Sequence, residues 1–186
     1  MQAVQERDDE WLMGQVARGQ REQLAPLVRR YANRLLTFIR RMVGDEHQSE
    51  ELFQEVFLTV WVKRHQYSSP RPFKSWLYAI AVNKCREAHR RRDFLTLPSL
   101  SDYTAVPFER EPPPDARMVA TETATLVGKA VALLPPQQRA VVVLRIWDGM
   151  SYADIAEVVG RSEGTVRSNM HHGLAAMRKY LEPRLK

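Results

Sequence analysis

Residues 94–117 break the chain in two. Five of its 11 prolines fall there, at 98, 107, 112, 113 and 114, beside the acidic side chains Asp102, Glu109, Glu111 and Asp115. Proline fixes φ and removes a backbone donor, so no regular helix can absorb that density. Hydrophobic periodicity is lost across the stretch and returns at helical spacing on both sides. The chain is therefore expected to be all-α: two small helical domains joined by a flexible, proline-stiffened linker. The boundaries read as 1–93, 94–117 and 118–186.

In the first half, Glu10–Arg18 predicts a short helix with Trp11, Leu12 and Val16 on one side and Gly19 at its end. Leu24, Leu27, Val28, Tyr31, Leu35, Phe38, Ile39 and Met42 follow a 3.6-residue period, which predicts a long amphipathic helix over 21–43, closed by Gly44. A third helix is expected from near Ser49, with Phe53, Val56, Phe57, Val60 and Trp61 as its core stripe. Another of its faces carries Glu51, Gln54 and Glu55, flanked by Leu52 and Leu58. Such a patch is either a solvated face or a dock for a basic partner helix.

Lys63–Lys74 reads as a loop, because Pro70 and Pro72 forbid a helix there. It interleaves Arg64, His65, Tyr67 and Arg71, the mixture that unstacked bases need: cations for the backbone and rings for the base faces. A helix over Pro72–Arg92 follows. Leu77, Ile80, Ala81 and Ala88, with Cys85 between, mark its buried side; Asn83, Arg86, Glu87, Arg90 and Arg91 mark the other. Taken alone, this basic amphipathic helix suits a membrane surface, an acidic protein or nucleic acid phosphates.

In the second half, Met118–Leu134 predicts a helix stopped by Pro135–Pro136. Pro136 suits the first turn of the next helix, which carries Val141, Val142, Leu144 and Ile146 and closes at Asp148–Gly149. Ser151 with Asp154 reads as a weak capping box. Tyr152–Leu174 then has helix-turn-helix spacing: small Ala156 where two helices touch, Gly160 where the turn needs a positive φ, and Val166 packing the second helix back on the first. That second helix, 163–180, would enter the major groove. Its exposed candidates are Glu163, Thr165, Arg167, Ser168, Asn169, His171 and His172. Arg167 is the best base or phosphate donor, and Thr165 and Ser168 suit phosphates.

The net charge of +6 favours a polyanionic partner. A single cysteine, Cys85, excludes an intrachain disulfide and suits a reducing compartment. The first residues hold no apolar leader, and no apolar run approaches the roughly 20 residues of a membrane span, so a cytoplasmic location without membrane insertion is expected. Adjacent His171 and His172 point about 100° apart on a helix and do not chelate one ion. There is no P-loop, HExxH, Cys-x-x-Cys or Ser/His/Asp set; neither metal, cofactor nor catalytic residue is expected, and the chain reads as no enzyme.

Three segments carry a family resemblance: ELFQEVFLTVW (51–61), FKSWLYAIAVNKCREAHRRR (73–92) and LPPQQRAVVVLRIWDGMSYADIAEVVGRSEGTVRSNMHHGLAAMRKYL (134–181). Together they resemble bacterial extracytoplasmic-function (group four) sigma factors of RNA polymerase, with regions two and four in order. The resemblance implies that Glu51, Gln54 and Glu55 bind the polymerase core. It implies that Arg64, Tyr67, Arg71, Trp76, Asn83, Arg86, Arg90 and Arg91 open the minus-ten promoter element and hold a flipped base and its phosphates. It assigns the minus-thirty-five element to Thr165, Arg167, Ser168, Asn169, His171 and His172. It also implies an anti-sigma factor as a partner and a linker that threads toward the active-site channel. This chain departs from the family at Glu51 and Glu87, where aspartate is common, and at Asn169, His172 and Leu174, where arginine is usual. The competing reading is a response-regulator-type helix-turn-helix transcription factor, whose first half should alternate strands and helices; here that half reads as helical throughout.

Overall fold

The computed structural model describes residues 8–68, 71–95 and 114–185. Every regular element among them is helical: α1 (Asp9–Ala17), α2 (Leu24–Val43), α3 (Glu46–Val62), α4 (Phe73–Leu95), α5 (Pro114–Ala132), α6 (Pro136–Ile146), α7 (Tyr152–Val159) and α8 (Glu163–Leu181). The linker expected over 94–117 lies outside the described residues for 96–113. Its expected last residues, from Pro114, instead form the first turn of α5. A proline at that position loses no helical hydrogen bond.

Short polar residues set the helix ends. Asp8 caps α1 by accepting from the Trp11 amide at 2.6 Å. The side of α1 that packs inward is Leu12, Met13 and Val16, while Trp11, expected on that side, is 40% exposed. Gly44 ends α2 at φ 76°. Asp45 then caps α3 by accepting from the Gln48 amide at 2.7 Å. That cap starts α3 at Glu46, ahead of the position expected near Ser49. Ser49 is buried within the first turn and donates to the Asp45 carbonyl.

In the first half, α2, α3 and α4 pack on one another and α1 closes one end. Phe38 meets Tyr78 edge-on at 5.3 Å, and Tyr31 meets Phe73 at 5.5 Å. Asp9 accepts from Arg30 at 2.6 Å and from Tyr31 at 2.5 Å. Burial, reinforced by the Asp9 bond and charge, pushes the Tyr31 phenol well above its ordinary range. Glu10 accepts from the Phe73 amide at 2.9 Å. It is thus a carboxylate at the positive end of α4, supplied from 63 residues away.

In the second half, α8 packs against α5, α6 and α7. A Cβ on Gly173 would stand 2.8 Å from Val142 Cγ2, so α8 crosses α6 at a separation that a larger residue would open. Val141, Val142 and Leu144 are buried as expected, whereas Ile146 is 48% exposed at the end of α6.

The buried apolar residues of both halves join in one continuous cluster. Helix α4 packs on α7, and α2 packs on α5 and α6. Arg139 lies in this seam, only 5% exposed. Its guanidinium donates to the Met42 carbonyl at 2.7 Å, to the Leu134 carbonyl at 3.1 Å and to the Ala132 carbonyl. One cation therefore serves carbonyls at the C-terminal ends of α2 and α5, where helix dipoles favour positive charge.

Candidate nucleic-acid interface

Three surfaces correspond to the expected sites. The first lies on α3. Glu51 and Gln54 are exposed, and Glu55 is half-buried, paired with Lys84 of α4 at 2.9 Å. Leu52, expected at the surface, is buried at 4% exposure, while Leu58 and Val62 stand 62% and 64% exposed. Residues 51, 55, 58 and 62 follow helical spacing along one face. The face is acidic toward its N-terminal end and apolar toward the other. Val62 was not singled out in the sequence, although its i+4 spacing from Leu58 carried the signal.

The second surface is the loop before α4 together with α4 itself. Tyr67 and Trp76, expected to meet unstacked bases, are both largely buried. Their rings lie 5.3 Å apart, and Phe73 completes the group at 6.3 Å from each. The Tyr67 hydroxyl donates to the Arg71 carbonyl at 2.7 Å. Burial first, then the carboxylates Glu10, Asp8 and Asp9, push this phenol up to about 12. Tyr67 thus turns inward, while Arg64 and Arg71 are half-buried. Arg64 covers the Trp61 ring at 4.2 Å and donates to its carbonyl. On α4, Asn83, Arg90 and Arg91 are exposed. Cys85 is fully buried, and desolvation raises its thiol to about 12, which suits a core residue.

The third surface is the α7–α8 unit. The capping box of Ser151 and Asp154 is complete in both directions. Gly160 adopts φ 66°, which permits the sharp turn. Ser162 caps α8 by accepting from the Thr165 amide at 3.2 Å, and its hydroxyl also meets that of Thr165 at 2.9 Å. Val166 is buried against α7. Arg167 is paired with Glu163 at 3.1 Å and lies 4.6 Å over the Tyr152 ring. Ser168, His171 and His172 are exposed, and Asn169 is half-buried. Among the described residues no cluster of three or more His, Cys, Asp or Glu side chains is arranged to hold a metal.

The second and third surfaces are not separate. Arg71 pairs with Glu157 of α7 at 2.6 Å. Lys74 donates to the Asp148 carbonyl at 2.7 Å, and Arg86 to the Val159 carbonyl at 3.3 Å. Tyr78 donates to the Asp148 carboxylate. Burial raises the pKa of Asp148, against the opposing pull of the Tyr78 bond and the cations Lys74, Arg41 and Arg34. Burial likewise lowers that of Arg86, helped by nearby Arg161. Lys74, Tyr78, Asp148 and Glu157 were not anticipated as a group. Asp148–Gly149 signals a helix end, and nothing local indicates which distant hydroxyl its carboxylate meets.

Comparison with known proteins bears on all three surfaces. Residues 27–94 match the family described as Sigma-70 region 2, and residues 125–177 match Sigma-70, region 4. The chain is 36% identical over 156 residues to the ECF RNA polymerase sigma factor SigE of Mycolicibacterium smegmatis, covering 83% of this chain and 60% of that protein. It is 31% identical over 193 residues to the RNA polymerase sigma-H factor of Pseudomonas aeruginosa, covering 97% of each. Its fold is similar to that of CnrH solved in complex with the cytosolic domain of CnrY, with a TM-score of 0.72, 24% identity, and coverage of 95% and 98% of the two chains. No helix among the described residues is long and apolar enough to cross a membrane.

Proposed function

The chain belongs to the sigma-70 family as a sigma factor of the extracytoplasmic-function type, and from that membership we propose how its three surfaces direct promoter-specific initiation. It is a transcription initiation factor; polymerase supplies the chemistry and the chain itself catalyses nothing. The polymerase core docks on α3 through Glu51, Gln54 and Glu55, continued by Leu58 and Val62. The α4 surface meets the minus-ten element. Arg64, Arg71, Arg86, Arg90 and Arg91 hold phosphates, and Asn83 contacts an unstacked base. Tyr67 and Trp76 support that site from beneath and reach a base only when the loop opens. The N-terminal part of α8 reads the minus-thirty-five element through Thr165, Arg167, Ser168, Asn169, His171 and His172.

No fuel is required. Unstacking costs a few kcal/mol per base, and pocket and stacking contacts return roughly 1–3 kcal/mol per base. A protein that binds the open form more tightly than the duplex shifts that equilibrium. We assign the chain to group four, to the cytoplasm, and to the division 1–93, 94–117 and 118–186, with α5 reaching back into the linker. An anti-sigma factor is the expected regulator, a reading supported by the fold shared with CnrH, which was solved with the cytosolic domain of CnrY.

The observation that carries this reading is the ordered pair of matched regions, 27–94 and 125–177, the second ending in a capped and exposed recognition helix. A response-regulator reading is disfavoured because the described elements before residue 96 are helical throughout. The test is reconstitution of the full chain with bacterial core polymerase on a pool of promoter-bearing fragments. Transcripts should start at discrete positions only when the chain is present. Failure to bind core polymerase would remove the assignment.

A further inference from the structure

Two consecutive acids of α1 converge on one residue, Phe73, the first of α4. The Glu10 carboxylate accepts from its backbone amide at 2.9 Å. Asp9 accepts from the Tyr31 hydroxyl at 2.5 Å, and the Tyr31 ring meets the Phe73 ring edge-on at 5.5 Å. The first amides of a helix have no acceptor within it, so a side chain 63 residues away satisfies this one. The Phe73 ring is fully buried, with its centroid 6.3 Å from those of both Tyr67 and Trp76. Burial first, and then the Glu10 charge, push the Tyr67 phenol up, so the same carboxylate faces both Phe73 and Tyr67. Helix α1 is a firm anchor: Leu12, Met13 and Val16 are at most 3% exposed, and Asp8 caps its start. Trp76 and Asn83 stand seven residues apart, two turns along one side of α4. The frame of the first turn therefore sets where the Asn83 side of the helix lies.

We propose that Glu10 is a positioning residue for minus-ten recognition: through the Phe73 amide it locks the first turn of α4, and with it the Tyr67, Phe73 and Trp76 rings that underlie the base-contacting side of that helix. The inference rests on the reading of α4 as the DNA-facing helix. Glu10 is half-buried and acidic, so it is no phosphate contact itself. It acts on the fraction of chains whose α4 start is correctly framed, and the apparent affinity for an unstacked strand scales with that fraction. Glutamine keeps an acceptor oxygen at the same reach and preserves the lock. Alanine leaves the amide without its acceptor beside a buried ring.

The test uses the full chain assembled with core polymerase. The probe is the minus-ten non-template strand of a promoter recovered by reconstitution, with 2-aminopurine placed at each position in turn. Glu10→Ala should weaken strand binding at least roughly fivefold and abolish the fluorescence rise at the captured position, with core affinity unchanged. Glu10→Gln should restore strand binding to within roughly twofold of the wild type. A general loss of stability does not give that split, because it lowers core and strand binding together. Equal losses in core and strand binding, or a Glu10→Gln chain as weak as Glu10→Ala, overturn the positioning role. So does a Glu10→Ala chain that binds and unstacks the strand normally while Asn83→Ala does not. If Asn83→Ala also leaves the strand signal untouched, the reading of α4 as the DNA-facing helix fails, and this role with it.

Discussion

The hydroxyl of Tyr78 donates to the carboxylate of Asp148, a residue 70 positions later in the other half of the chain. The bond sits where three cations and one hydroxyl act on one half-buried acid, and it couples α4 to the turn before α7.

Removing one partner should therefore cost more than removing both. Tyr78→Phe alone leaves the Asp148 carboxyl without its hydroxyl donor and should destabilise the chain by about 1–3 kcal/mol. A double-mutant cycle of Tyr78→Phe with Asp148→Asn, read by chemical denaturation, should give a coupling of at least about 0.5 kcal/mol. Additive effects would show that the bond contributes nothing beyond its two surroundings.

Asp148 also predicts a pH dependence. Its pKa is raised above the ordinary 3.8 by burial, despite Tyr78, Lys74, Arg41 and Arg34. The folded, closed chain thus binds this proton more tightly than the unfolded one does. The stabilisation is complete below pH 3.8 and is lost as pH climbs through the raised value. The stability of the wild type relative to Asp148→Asn should accordingly fall as pH rises from 3.8 toward neutrality. A difference that stays flat or rises would mean that the cations, not burial, control this group.

Arg139 should be intolerant of shortening. Arg139→Ala removes a donor from the Ala132 and Leu134 carbonyls together, and leaves the Met42 carbonyl only its bond with His89; it should cost about 2–3 kcal/mol in a denaturation curve. Arg139→Lys should recover only part of this, since an ammonium lacks the planar fork that reaches three oxygens. Full recovery would reduce the role to charge alone.

The exposed apolar stretch of α3 separates binding from folding. Leu58 is 62% exposed, so Leu58→Asp should change stability by no more than about 0.5 kcal/mol. Polymerase affinity should fall at least tenfold if this face is the dock, by analogy with buried interface anchors worth about 2 kcal/mol. Normal affinity in a competition assay against wild type would take α3 out of the proposed interface.

Asn83 is exposed on α4 and meets no partner that the fold requires. Asn83→Ala should leave both stability and polymerase binding intact while open-complex formation is lost. Permanganate footprinting of promoter thymines checks this, and unchanged reactivity would reassign the base-capture role.

Helix positions were legible because their signals are local. Gly44, Ser151, Gly160 and Ser162 end or cap helices through atoms a few residues away, and each does so where its spacing indicates. Core stripes were legible to within a residue or two: an adjacent position is rotated by about 100°, which is enough to bury Leu52 more deeply than Phe53, and two positions by about 200°, which exchanges Met13 for Trp11. The fate of the Tyr67 and Trp76 rings was not legible. Rings on a loop suit bases and suit a core equally well, and only the packing of Phe73 and α1 decides between them. Arg139 and Asp148 were opaque for a different reason. Polar residues on amphipathic helices and in the turns between them default to solvent, and the burial of these two depends on how the two halves meet, which no periodicity encodes.

The close passage of α8 over α6 at Gly173 and Val142 has an evolutionary corollary. The two positions share one volume, so 173 can grow only where 142 shrinks. An alanine at 173 is admissible where 142 gives up its branched methyl, and a bulkier residue at either place shifts the whole reading helix relative to its neighbours. Paired substitution at 142 and 173 is then a heritable adjustment of how far α8 stands from α6 and of where its exposed face points.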